Sequence, residues 1–294
     1  MFKKKRSKDM IYYGTSIVGT SHIKKGTVCQ DSHKAAILSN GWCVAAVADG
    51  VGSAKHSEVA SEMAVKTVVD YCIEHIQSDS KIDDLEAVLK TAYSTAEKAI
   101  QDYVDEHEES ITDYDTTLSM VVYDGKTIVY GHSGDGGIVG LRNDGLYVKI
   151  TNPQKASDGI CVIPLRAGEA HWEFGTAAGE FASVLLATDG VYDTFFPYLL
   201  KGQKNEVYVP LIHFFLDNNA LDISEANVAD VEKSRVDFLN SAAYEPVTDD
   251  KTVLVVVNPE IKPAFQDEEY YKDPDWEALQ LEWNKKAYPH LYKD

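Results

Sequence analysis

The sequence predicts an α+β fold, and three observations carry that reading. Continuous apolar runs of strand length stand near the start, the middle and the end of the chain. Segments of helical period lie between them in pairs, so strands and helices do not alternate one for one as a doubly wound parallel sheet requires. From Thr116 onward, β-branched and aromatic runs are separated by Asp-Gly or Gly-rich turns, the pattern of antiparallel pairing.

Taken in order, Ile11 to Thr20 alternates loosely and reads as a strand, and the unbroken apolar run Trp42 to Ala48 reads as a strand buried on both faces. A glycine-rich loop, VADGVGSAKHS, leads into a helix on which Ala60, Ala64, Val68, Tyr71 and His75 recur every three or four residues. Ser80 with Asp83 has the spacing of a capping box. Behind it Leu85, Val88, Leu89, Ala92, Ala96, Ala99, Ile100 and Tyr103 form the apolar stripe of a second helix. TTLSMVVY, KTIVYGHS, GGIVGL and LYVKI then read as one antiparallel meander, and SVLLAT as a buried strand ending at Asp189. Helical patterns occupy Val207 to Leu216 and Glu225 to Leu239, and TVLVVVN is the last strand. With no internal repeat or low-complexity linker, the expected organisation is a basic tail over residues 1–10, one domain over 11–258, and an acidic aromatic tail or docking helix over 259–294. An amphipathic segment near Trp276 to Trp283 lies in that last part and is expected to pack on the domain.

Composition narrows the function. Against 47 Asp and Glu stand 28 Lys and Arg, a formal net charge of −19. Nucleic-acid binding draws its affinity from cations that neutralise phosphates, so the excess of acid opposes it, and an anionic membrane surface likewise. No uncharged apolar run reaches the roughly 18 residues that span a bilayer, and no signal-peptide stretch follows the basic opening. Cys29, Cys43, Cys72 and Cys161 form no CxxC pair, which argues against a zinc site and a disulfide framework and points to reduced thiols in the cytoplasm.

Acids stand where apolar strands stop or start: Asp49 after WCVAAVA, Asp189 after SVLLAT, and Asp249 shortly before TVLVVVN. A carboxylate beside a buried strand is fixed in position and poorly solvated, which is costly unless a positive charge compensates it. No Lys or Arg adjoins the three, and only Lys251 lies within two residues. Divalent cations such as Mg2+ and Mn2+, which prefer carboxylate and water oxygens, would supply the missing charge. Asp49-Gly50 and Asp189-Gly190 repeat one dipeptide whose glycine lets a carbonyl approach an ion, whereas Asp124-Gly125 and Asp144-Gly145 read as hairpin turns. His56 reads as a solvated loop residue, His132 as structural, and Asp105, Glu106, Glu108 and Glu109 as a solvated helix end. GVGSAKHS lacks the Gly-Lys-Ser/Thr ending of a P-loop.

Six segments, in this order, resemble the metal-dependent PP2C family of protein phosphatases, especially its bacterial members. They are CQDS at Cys29 to Ser32, VADGVGSAKHSEVAS at Val47 to Ser61, DTTLSMVVY at Asp115 to Tyr123, GHSGDGG at Gly131 to Gly137, LLATDGVYD at Leu185 to Asp193 and TDDKTVLVVV at Thr248 to Val257. The resemblance covers most of Tyr13 to Val257. It implies a central antiparallel β-sandwich flanked by helices on both sides, a four-layer α-β-β-α arrangement with a two-metal centre at one end. The implied activity is hydrolysis of phosphoserine or phosphothreonine by in-line attack of a water or hydroxide bridging two divalent ions, Mn2+ or Mg2+. On that pattern Asp49 bridges the ions, Gly50 offers its carbonyl, Asp189 and Asp249 complete the first site, Asp31 holds metal-bound water, and Asp135 helps bind a weaker third ion. The implied partners are phosphorylated proteins, among them a Ser/Thr kinase or its targets.

The chain departs from the family pattern in three places. GTSHIKKGTVCQD contains no arginine where family members grip phosphate; His22 falls at that position, with Lys24 and Lys25 as competing candidates. Val51 replaces the histidine that eukaryotic members carry after the first Asp-Gly, which leaves water to protonate the leaving group. Gly-Asp-Ser-Arg has become Gly134, Asp135, Gly136 and Gly137. A catalytically silent module that keeps the fold and recognises phosphorylated partners is the alternative: the missing arginine favours it, and the retained acids oppose it.

Overall fold

A computed structural model of the chain describes residues 10–157, 159, 161–216 and 222–292. Among them, ten strands form two antiparallel sheets of five. The first is ordered β1 (Ile11–Ile17), β10 (Lys251–Val257), β9 (Phe181–Ala187), β6 (Gly137–Arg142) and β7 (Tyr147–Lys149). The second is ordered β2 (Ser32–Ile37), β3 (Cys43–Ala48), β4 (Leu118–Tyr123), β5 (Ile128–Ser133) and β8 (Glu173–Thr176).

The continuous apolar runs follow from what lies on the two faces of each central strand. Side chains alternate along a strand, so β3 sends Cys43, Ala45 and Val47 toward the other sheet and Val44, Ala46 and Ala48 toward helices. In the first sheet, Val184 and Leu186 of β9 and Leu254 and Val256 of β10 meet the same central core. Leu185, Ala187, Val253, Val255 and Val257 point the other way into a second helical layer. The helices α2 (Ser57–His75) and α3 (Leu85–His107) cover the second sheet through Ala60, Ala64, Val68, Leu89, Ala92 and Ile100. The first sheet is covered by α4 (Asp189–Phe195), α5 (Val209–Leu216) and α6 (Val228–Leu239). The result is the four-layer α-β-β-α sandwich, an α+β fold with three apolar interfaces.

Several local expectations need correction. The four runs after Thr116 do not form one meander: β4 and β5 pair in one sheet, and the chain then crosses to the other, where β6 pairs with β7 and β9. The Ser80–Asp83 capping box is not made. Ser80 Oγ instead accepts the Gln77 amide at 2.9 Å, and Asp83 lies in a single 3₁₀ turn, Ile82–Asp84, that precedes α3. The sequence reading also passed over β2, β8, the short α1 (Thr20–Lys25) and α4.

Beyond β10 the chain returns to the helical layer that covers the first sheet. The Tyr147 amide donates to Tyr270 Oη at 3.0 Å, Tyr208 Oη donates to Asp273 at 2.6 Å, and the Tyr208 and Trp276 rings meet edge to face 5.2 Å apart. Trp276 opens α7 (Trp276–Ala287), so the aromatic residues of this segment pack on the sandwich as expected. Residues 1–9 of the basic tail lie outside the described residues. No described helix is long and apolar enough to cross a membrane.

One buried polar contact gives the fold a pH signature. His132, on β5, has no exposed surface; its Nδ1 lies 2.8 Å from Ser119 Oγ and its Nε2 3.1 Å from the Asn152 carbonyl. Those distances fit a neutral ring with the proton on Nε2. Burial lowers its pKa from 6.5 to about 4. Unfolding between those values takes up a proton, so this group's contribution falls as pH falls through that window, by about 3 kcal/mol in total. Urea unfolding of the metal-free protein at pH 7 and pH 5 is expected to show a smaller loss on acidification for His132→Gln than for the wild type. Equal losses would mean that His132 takes up its proton in the fold at the same pH as in the unfolded chain.

Candidate active site

Antiparallel register brings the singled-out acids to one end of the sandwich. Ala48, the last residue of β3, pairs with Ser32, the first of β2, so Asp49 and Asp31 are neighbours across that ladder. In the other sheet Ala187, at the end of β9, pairs with Gly137 of β6 and Val253 of β10. Asp189 therefore sits beside the turns that hold Asp135 and Asp249. Asp135 lies where the chain leaves β5 for β6, the crossing between sheets.

The backbone at these positions is tightly held. Thr117 N and Thr116 Oγ1 both donate to the Asp49 carbonyl, at 2.8 and 2.9 Å, and Asp49 N donates to Thr117 Oγ1 at 2.9 Å. The Gly50 amide donates to the Gln30 carbonyl, and a Cβ at Gly50 would stand 2.7 Å from that oxygen and 2.8 Å from Ser57. At Gly190 a Cβ would lie 2.0 Å from the Asp250 carbonyl oxygen. Glycine in both Asp-Gly pairs is therefore required by close backbone approach. Asp31 is buried, and its Oδ2 accepts from Thr188 Oγ1 at 2.7 Å.

Asp49, Asp135 and Asp189 each offer a carboxylate oxygen, and these oxygens lie within 4.8 Å of one another. Withdrawal from water raises these three acids and Asp31, and like charge adds to it. Asp49 is pushed well above the carboxylate range by burial and then by Asp31, Asp189, Asp135 and Asp249. Burial raises Asp31 to about 8 against the opposing hydrogen bonds of Thr188 and Thr252. Asp189 rises to about 6, through burial and then the charges of Asp135 and Asp249. Asp135 is raised by burial and partly restored by Lys155, whose Nζ stands 3.7 Å from its Oδ2. The donors are hard oxygens, close enough to share an ion and short of positive charge, so the residues fit a divalent cation of the Mg2+ or Mn2+ kind.

Asp249 and Asp250 have different surroundings. Asp249 is exposed, outside the group of three but near enough to raise Asp49 and Asp189, and its Oδ1 accepts the Asp250 amide at 2.9 Å. Asp250 is buried; its two carboxylate oxygens accept the Gly19 and Gln30 amides, each at 2.6 Å. His22 is only 8% exposed, and its Nδ1 lies 2.8 Å from Asp250 Oδ1, off the line of a hydrogen bond. The expected phosphate-gripping position is thus turned into the protein toward a carboxylate. Sequence reasoning singled out neither Asp250 nor the threonines Thr116, Thr117 and Thr188; the one available signal was the pairing of two acids immediately before a buried strand. His56 is also less solvated than expected, part-buried with its ring 5.2 Å from that of Tyr114. The acids Asp105 to Glu109 do form an exposed helix end.

Comparison with known proteins places this arrangement. Residues 18–230 match the sequence model described as Protein phosphatase 2C, well over half of the 294 residues. No curated protein matches the chain. Among solved structures, the serine/threonine phosphatase Stp1 from Staphylococcus aureus is similar with 13% identity and a TM-score of 0.59, over 87% of this chain and 99% of that one. The Mycobacterium tuberculosis serine/threonine phosphatase PstP/Ppp is similar with 21% identity and a TM-score of 0.55, over 84% and 98%. A structure of the PstP catalytic domain in complex with two manganese ions matches with 20% identity and a TM-score of 0.55, over 84% and 97%. Likeness at such identity speaks for the fold, and the sequence match speaks for the family. This chain, with its two-sheet sandwich and its acids gathered at one end, belongs to the protein phosphatase 2C family.

Proposed function

We propose that the chain is a metal-dependent phosphatase acting on phosphoserine and phosphothreonine in partner proteins, a Ser/Thr kinase or its targets among them. The observation that carries the reading is the convergence of Asp49, Asp135 and Asp189 within 4.8 Å at the end of the sandwich. Asp49, Asp189 and Asp249, with the Gly50 carbonyl, would hold two ions, Mn2+ or Mg2+, and Asp135 a weaker third. Bound there, such ions supply what the acids lack, a hydroxide at neutral pH and positive charge opposite the phosphoryl oxygens during in-line displacement. Asp31, whose carboxylate accepts from Thr188, would hold water at the site. Val51 offers no proton, so the leaving alkoxide takes one from water. Asp250 is assigned to the frame, because its oxygens are committed to two backbone amides. Cys29, Cys43 and Cys72, none of them in a disulfide, suit a reducing, cytoplasmic setting.

A silent phosphate-recognising module is the second reading, favoured by the inward turn of His22. Hydrolysis of a phosphothreonine peptide separates the two: activity is expected to vanish in a chelator and return with Mn2+ or Mg2+. Full activity in the chelator would remove the metals from the reaction, and none under any condition would favour the silent module.

Substitution separates ligand from frame. Asp49→Asn is expected to lower turnover by at least about a thousandfold while the metal-free fold keeps or gains stability, since one of several crowded charges is gone. Asp250→Asn is expected to cost about 1–3 kcal/mol of stability, through weakened bonds to Gly19 and Gln30, with Mn2+ affinity largely kept. Calorimetric metal titration and urea unfolding of both variants check the assignment. The reverse pattern would exchange the roles of Asp49 and Asp250.

A further inference from the structure

The site described so far is almost wholly negative, and the side chain at the family's phosphate-gripping position faces inward. A phosphomonoester carries nearly two negative charges of its own. Some cation of the chain should meet it, and the loop after β7 carries one.

That loop is tied down beside the acids. The Gln154 amide donates to the Gly134 carbonyl at 2.7 Å, Gly134 N donates back to Gln154 Oε1 at 3.3 Å, and Lys155 bridges to Val162. Farther along, Leu165 N donates to the Thr116 carbonyl at 2.8 Å, and Arg166 clamps Asp115 with both arms of its guanidinium, Nη2 to Oδ2 at 2.9 Å. Both anchors are next to site residues, Gly134 beside Asp135 and Thr116 beneath Asp49. The loop therefore holds Lys155 at a fixed place on the rim.

Among the described residues, Lys155 is the one cation at ion-pair distance from the three clustered acids. Its side chain is 39% exposed, and its ammonium stands 3.7 Å from Asp135, well beyond the roughly 2.8 Å of a charge-assisted hydrogen bond. That leaves donors of the ammonium for an anion arriving from solvent. The other nearby cations are committed elsewhere: Arg166 to Asp115, and Lys251, in a buried residue, to the Asp249 carbonyl at 3.4 Å. We propose that Lys155 grips the substrate phosphate, taking over from a different part of the chain the task His22 was expected to perform. A compact ammonium suits this as a point charge, with less dependence on planar geometry than a guanidinium.

The proposal rests on the phosphatase reading, so its test includes binding without turnover. Lys155→Met, Lys155→Arg and Lys155→Glu are compared with wild type in two measurements: kinetics on a phosphothreonine peptide, and calorimetric binding of inorganic phosphate to the Mn2+-loaded protein. For Lys155→Met, KM and the phosphate Kd are expected to rise together by about tenfold with kcat within about threefold, the signature of lost uniform binding. Lys155→Arg should stay within about threefold of wild type, and Lys155→Glu should be weaker than Lys155→Met. Unchanged KM and phosphate Kd in Lys155→Met, against a wild type that binds phosphate, overturns the proposal alone. A change confined to the Mn2+ concentration needed does the same, leaving Lys155 as a neutraliser of Asp135. A wild type that neither binds phosphate nor turns over defeats the phosphatase reading and this proposal together.

Discussion

Carboxylates of Asp49, Asp135 and Asp189 approach within 4.8 Å of one another where two packed sheets end, and like charges so placed, away from bulk water, repel far more strongly than on an open surface. The local structure is a response to that constraint. Asp49 cannot drift outward because Thr116 and Thr117 grip its backbone on both sides. Gly50 and Gly190 let neighbouring segments, the stretch at Gln30 with the start of α2 and the turn at Asp250, close up until no Cβ would fit. Asp250 joins the stretches around Gly19 and Gln30 to the start of β10. Each device keeps acids together that would separate if free to do so, which is the arrangement expected where cations are to be bound.

The sandwich makes such holding possible. Three apolar interfaces fix both sheets, and strand pairing carries their order to the strand ends, where the acids sit. A hydrogen bond from Thr188 to Asp31 therefore rests on a strand that is packed on both faces, β9. Positive charge, by contrast, comes from a loop: Lys155 bridges to Val162, its neighbour Gln154 is bonded to Gly134, and its ammonium stands near Asp135. Negative charge on rigid elements and positive charge on the rim suit a site that must retain cations yet release an anionic product.

What the sequence made legible follows the same physics. The runs Trp42 to Ala48, SVLLAT and TVLVVVN stand out because their strands are central, with a sheet on one face and helices on the other. β2 and β8 passed unnoticed because they are the two edges of the second sheet, half-buried and correspondingly mixed in composition. The crossing between sheets at Gly134 to Gly136 left no local mark, since a hairpin turn and a sheet switch draw on the same residues. At the site, acids at strand ends were visible, but which member of Asp249–Asp250 faces outward depends on Gly19 and Gln30, more than two hundred residues away in the chain. His22 turns inward for the same reason, and Lys155 could be found only once the loop was seen folded back on Gly134.

The central claim is that this acid end is built to hold divalent cations, and calorimetric titration of the metal-free chain with Mn2+ tests it without reference to any substrate. The account expects saturable binding of at least two ions per chain, accompanied by a rise in thermal stability, with the tighter binding lost in Asp49→Asn and Asp189→Asn. Absence of binding, or equal binding in the wild type and both variants, would contradict it.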